Sequence, residues 1–77
     1  MTAKQKKKIG QELKNIRLAE GISQRKLSML VGLNKNNCAS ISRIEEGNFD
    51  SPELPRIFFE AMGYSFKEKY SYTISKA

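Results

Sequence analysis

Apolar residues return at helical spacing along the first part of the chain: Ile9, Leu13 and Ile16, with Leu18 nearby and Lys, Gln, Glu and Asn between them. That period predicts a helix over 4–20. Gly21 ends it as a C-terminal cap residue. Ser23 then serves as N-cap for a second helix, in which Leu27, Leu30 and Val31 share a face until Gly32 stops it. Leu33, apolar in a tight connection, is expected to tuck into the core. Cys38, Ile41 and Ile44 recur every third residue, the narrow apolar stripe of a third helix that Gly47 breaks. Ser51 as cap and Pro52 in a first turn introduce a fourth helix, which Gly63 ends. Its expected core face is Leu54, Ile57, Phe58, Ala61 and Met62, with Phe59 half exposed at the edge. Pro55 lacks an amide donor, which argues for a start later than Ser51.

The period then changes to two. Tyr64, Phe66, Tyr70, Tyr72 and Ile74 share one parity, with Glu68 the polar exception. Ser65, Lys67, Lys69, Ser71 and Thr73 share the other. This alternation predicts a β-strand over 65–74. Nothing else in the chain reads as a strand to pair with it, and an open strand edge is a template for another chain. The expected solution is antiparallel pairing of two tails across a two-fold axis, with Phe59, Phe66, Tyr70, Tyr72 and Ile74 in the dimer interface. The expected fold class is therefore all-α, about four helices with a C-terminal strand. A basic arm over 1–8 runs into the first helix, a helical domain covers 9–63, and 64–77 is a dimerisation tail.

At 77 residues the chain is one small domain. A domain of this size buries only about 60% of its unfolded surface, so its core is marginal. No apolar run approaches the roughly 20 residues that span a bilayer. The basic N-terminus is not followed by the apolar stretch of a secretory signal. A single Cys rules out an internal disulfide and fits a reducing compartment. The expected location is cytoplasmic, without membrane association.

The formal charge of +6 favours a polyanionic partner. Lys4, Lys6, Lys7 and Lys8 concentrate part of it at one end, where they either lie along phosphates or form a solvated terminus. The chemistry of an enzyme is missing. With no His there is no imidazole base or imidazole ligand, and one Cys makes no zinc cluster. No phosphate-binding Gly loop is present, the serines have no plausible activating base, and the carboxylates are scattered. No enzymatic activity, cofactor or metal is expected.

Two short helices joined by a Gly-containing turn on a basic domain suggest helix-turn-helix DNA binding. Residues 9–63 resemble the phage-repressor family (Cro/cI, also called XRE). The resemblance is carried by Arg17, by "GISQRKLSMLVGL" at 21–33, by "ISRIEEG" at 41–47, and by "SP…AMG" at 51–63. It implies a compact lambda-repressor-like domain that binds operator DNA as a homodimer and represses transcription. One block departs from the family pattern. "LNKNNCAS" is longer by about three residues, nearly one helical turn of about 3.6. Either Asn34 caps the third helix, which then gains a turn, or Asn37 caps it and the loop absorbs the excess.

In either version Ala39, Ser40, Ser42 and Arg43 lie away from the apolar stripe. Lys35 and Asn36 join them if Asn34 caps. Arg43 suits a guanine edge or a phosphate, Asn36 an adenine edge, and Ala39 a thymine methyl. Ser40 and Ser42 suit phosphate or base contacts. For each the plain alternative is ordinary solvated surface, or for Asn36 a turn residue. Cys38 reads as a small core residue. The resemblance gives Gln24 and Asn48 phosphate contacts, although the usual Lys or Arg is missing at Asn48. It gives Arg17 and Glu45 an ion pair that sets the angle of the reading helix. Two other functions fit the same residues: an antitoxin that binds its operator and a toxin protein, and a protein-interaction module without DNA binding.

Overall fold

The computed structural model describes residues 2–32, 38–50, 53–68 and 72–76. Four helices follow in order: α1 Ala3–Ala19, α2 Gln24–Leu30, α3 Cys38–Glu45 and α4 Glu53–Ala61. A hairpin completes the fold, with β1 Tyr64–Glu68 and β2 Tyr72–Lys76. The expected helix stops at Gly21, Gly32, Gly47 and Gly63 all adopt positive φ. Leu33, the caps at Asn34, Asn37 and Ser51, and Pro52 lie outside the described residues.

α1 begins at Ala3, one residue before the expected start. Thr2 and Gln5 form a capping box: Thr2 Oγ1 accepts from the Gln5 amide at 3.1 Å, and Gln5 Oε1 accepts from the Thr2 amide at 2.9 Å. Two otherwise orphaned donors are satisfied there, so helix starts at Ala3. Lys4, Lys6, Lys7 and Lys8 therefore stand on the first turns of α1, as the helix expected over 4–20 implies. Ile9 and Leu13 are buried as expected, while Leu18 is exposed.

Gly10 explains how α1 meets α3. A glycine inside a helix costs about 1 kcal/mol relative to alanine. Here a β-carbon would stand 2.8 Å from the Glu45 carbonyl oxygen and closer still to that of Ile44. The two backbones touch, and only the missing side chain permits it. Gly47, just past α3, repeats the device. Its φ is +87°, and a β-carbon would meet the Lys7 Cα at 2.9 Å.

The core joins Ile9, Leu13, Leu27, Ile41, Ile44, Phe49, Phe58, Phe59 and Phe66. α4 keeps part of the face its sequence suggested, with Phe58 buried and Ala61 and Met62 packed on the core. Pro55, Phe58 and Phe59 are buried, while Leu54 is 41% and Ile57 50% exposed. The helix is rotated so that its core face moves from the Leu54/Ile57 edge to the Pro55/Phe59 edge. The rotation buries both neighbouring phenylalanines, and aromatic rings carry about 150–250 Å² each. Pro55 falls in the first turn, where no amide has an intrahelical acceptor. On α2, Leu27 is buried and Val31 packs on the core, but Leu30 is exposed.

The tail also differs from expectation. It forms two strands rather than one over 65–74, and they pair with each other, Tyr64 opposite Lys76, Phe66 opposite Ile74 and Glu68 opposite Tyr72. The strand edge is answered inside the chain. The sequence hides the turn because no Gly, Pro, Asn or Asp lies between Phe66 and Thr73. Parity survives the reversal, since even-numbered residues face even-numbered ones. A lone hairpin is marginal in water. This one is held by Phe66 stacking on Phe59, centroids 5.5 Å apart and planes 10° off parallel. Tyr64 and Ile74 pack on the core beside it, and the Tyr64 hydroxyl donates to Glu20 Oε1 at 3.2 Å. Phe59 and Phe66 are thus internal, not dimer-interface residues, because each is the other's cover. Tyr70 and the Tyr72 side chain lie outside the described residues.

Gly10→Ala tests the helix crossing. Propensity alone would stabilise α1 by about 1 kcal/mol, whereas overpacking against backbone costs about 1–3 kcal/mol. A net loss of stability in urea denaturation is expected. A gain would show that α1 and α3 do not approach as described.

Candidate nucleic-acid interface

α3 divides into two sides. Ile41 and Ile44 are buried against the core, and Ala39 and Arg43 are exposed, with Ser40 and Ser42 half-buried between. Glu46 follows on the exposed side, an acid that the sequence reading left out. Lys35 and Asn36, the other expected reading residues, lie outside the described residues, as does the Cys38 side chain.

Behind α3 lies the expected ion pair. Arg17 Nε donates to Glu45 Oε2 at 2.7 Å and Nη2 to Oε1 at 3.2 Å, a fork on a carboxylate. The two side chains are only 9% and 5% exposed. The rest of the guanidinium is used too: Nη1 donates to the Ile22 carbonyl at 3.0 Å. Ile22 sits there because α1 ends in a Schellman turn, in which the Gly21 amide donates to Leu18 and the Ile22 amide to the Arg17 carbonyl. Gln24 joins from the start of α2, its Nε2 donating to Glu45 Oε1 at 3.0 Å. Side chains from three helices thus meet on one carboxylate.

That junction floors a polar cleft of about 440 Å³ lined by Gln11, Lys14, Arg17, Gln24, Ser42, Glu45 and Glu46. Its cations, Lys14 and Arg17, balance its anions, Glu45 and Glu46, so the cleft is formally neutral. The positive excess lies elsewhere. Lys4, Lys7 and Lys8 are exposed on α1, and Arg25 and Lys26 on α2. Close contact of Gly47 with Lys7 sets the lysine-rich turns beside the loop that carries Asn48. The Asn48 side chain is exposed, but the backbone N–H of Asn48 donates to the Arg43 carbonyl at 2.8 Å and closes α3. On α2, Ser23 Oγ accepts from the Lys26 amide at 3.0 Å, which occupies one first-turn donor.

The sequence reading missed Gln11, Lys14, Arg25, Lys26 and Glu46. The signal for Lys14 was present: it lies three residues before Arg17 and four after Gly10, on the flank of α1 that meets α3.

Comparison with protein-family models, with curated proteins and with solved structures finds no match. Among the described residues, no helix is long and apolar enough to cross a membrane, and no group of His, Cys, Asp or Glu could hold a metal ion.

Removing one partner of a buried ion pair strands the other. Arg17→Ala or Glu45→Ala is expected to lower stability by about 3–5 kcal/mol, and Arg17→Met with Glu45→Met by less than either alone. Denaturation midpoints of the three variants check this. Equal losses for all three would make the contribution packing rather than charge.

Proposed function

We propose that this chain is a sequence-specific DNA-binding regulator of the lambda-repressor-like helix-turn-helix kind, acting as a repressor. The observation that carries the reading is the brace behind α3. Arg17, Gln24 and Glu45 fix α1, α2 and α3 to one another, and Arg43 and Ala39 remain free on the opposite, exposed side. A helix held rigidly from behind with a bare polar front suits insertion into a major groove. Basic residues on α1 and α2 supply phosphate contacts that position it. The resemblance of residues 9–63 to phage repressors supports the same reading.

The proposed assembly is a homodimer on a palindromic operator. Leu54 and Ile57, exposed on α4, are the apolar surface we assign to it. The outer edges of the hairpin offer a second route, tail against tail. Truncation after Gly63 would test neither, because it would remove Phe66 from the core. Leu54→Lys with Ile57→Lys leaves the core intact. A dimer through α4 should then sediment as a monomer; an unchanged dimer would move the interface to the hairpin.

Selection of bound duplexes from a random DNA pool tests the function directly. A palindromic consensus is expected, and recovery of no preferred sequence would overturn the reading. On the selected duplex, contact with about six to ten phosphates would lower affinity a thousandfold or more between about 50 and 200 mM salt. Lys4→Gln, Lys7→Gln and Lys8→Gln together should flatten that slope without altering the preferred sequence. Arg43→Ala should relax preference at one base position by about 1–3 kcal/mol. Competition with single-base variants of the duplex separates the two behaviours.

A further inference from the structure

Glu46 stands where two general tendencies would place a cation. Its backbone N–H donates to the carbonyls of Ser42 and Arg43 at 3.1 and 3.2 Å, so the course of α3 continues through it. The last carbonyls of a helix carry partial negative charge, and an acid beside them opposes the helix dipole. Glu46 also belongs to the face assigned above to a polyanion. Ala39, Arg43 and Glu46 follow one another at i, i+4 and i+7, all exposed and opposite the buried Ile41 and Ile44. Side chains at that spacing share one stripe of a helix.

The two adjacent carboxylates have different surroundings. Glu45 is turned inward and held by Arg17 and Gln24. Among the described residues, no side chain hydrogen-bonds or ion-pairs with the carboxylate of Glu46, although Lys14 shares the cleft lining and Arg43 stands three residues back. A carboxylate only accepts hydrogen bonds. In the major groove the donors are the amino groups of cytosine and adenine. Adenine sets its amino group beside the N7 acceptor, which repels a carboxylate; cytosine offers the amino group without an acceptor of its own. Three residues of helix rise about 4.5 Å, against about 3.4 Å for one base-pair step. A helix lying along the groove therefore sets Glu46 over a base pair close to the one that Arg43 meets.

We propose that Glu46 is a specificity-determining residue of the reading face: its carboxylate accepts from the N4 amino group of a cytosine next to, or one pair beyond, the base that Arg43 meets. The inference rests on the DNA-binding reading above. Its charge sharpens the selection. Repulsion from phosphates weakens every complex, and the contact with cytosine offsets that loss in one alone.

The test uses the full chain and the duplex taken from the random-pool selection. Arg43→Ala locates the base that Arg43 meets, and single-base variants of the duplex around it are then compared at fixed salt. The unaltered protein should prefer a C·G pair at one of these neighbouring positions by roughly tenfold or more. Glu46→Ala should abolish that preference, leave the preferences elsewhere intact, and raise affinity for duplexes of unrelated sequence. Glu46→Asp keeps the charge but is one methylene shorter. It should weaken the cytosine preference without raising affinity for unrelated sequences, which separates reach from charge and gives a second variant should the first fail to fold. A uniform gain on all duplexes with the preference unchanged would make Glu46 a repulsive surface charge and overturn the proposal. So would a selected consensus that tolerates any base at those positions. Either result leaves DNA binding standing, whereas an unaltered protein that binds no duplex would overturn the underlying reading and the proposal with it.

Discussion

A carboxylate cannot be buried unless it is neutralised and its oxygens are hydrogen-bonded, and Glu45 meets that demand with side chains from two other helices. Arg17 arrives from α1 and Gln24 from α2. Hydrogen bonds are directional where apolar contact is not. The apolar core would tolerate several crossing angles among α1, α2 and α3, but the fork of Arg17 on Glu45 tolerates few. On the other side of the same crossing, Gly10 lets the α1 backbone touch the carbonyls of Ile44 and Glu45. One contact specifies the geometry by attraction, the other by excluding every bulkier residue.

The charges follow a separate logic. Inside the cleft they cancel, and the excess stands exposed on α1, α2 and α3. The first turn of α1 holds no acid, and its lysines crowd the positive end of the helix dipole. That arrangement weakens an isolated helix. The Thr2–Gln5 capping box and the docking of Gly47 on Lys7 offset it. Local stability is thus set against a basic surface, a conflict expected where a surface serves a partner rather than the fold.

The hairpin shows how a small domain completes its core. The helices alone would leave Phe59 in water. Phe66 returns from β1 to cover it, Ile74 follows from β2, and Tyr64 ties the base of the hairpin to Glu20 at the end of α1. The radius of gyration of 11.4 Å matches the value of about 11.5 Å expected for a compact chain of this length, so the hairpin lies on the helices rather than extending from them.

Helix stops, the second cap at Ser23, the Ile41/Ile44 stripe and the period-two tail were legible in the sequence, because each depends on residues within a turn or two of one another. The Arg17–Glu45 pair was legible only through the family resemblance. Four matters were decided by the tertiary structure. The α4 face lost Leu54 and Ile57 and gained Phe59 because the stacking partner, Phe66, comes from another element. The tail folded back on itself without a Gly, Pro, Asn or Asp to signal the turn, and an apolar surface receives it. Gly10 gained its meaning from carbonyls some 34 residues away. The side chain of Gln24, to which the resemblance gave a phosphate contact, hydrogen-bonds Glu45. Local periodicity states which residues can share a face. Which face is used, and which polar group finds a partner, depends on what the rest of the chain brings against it.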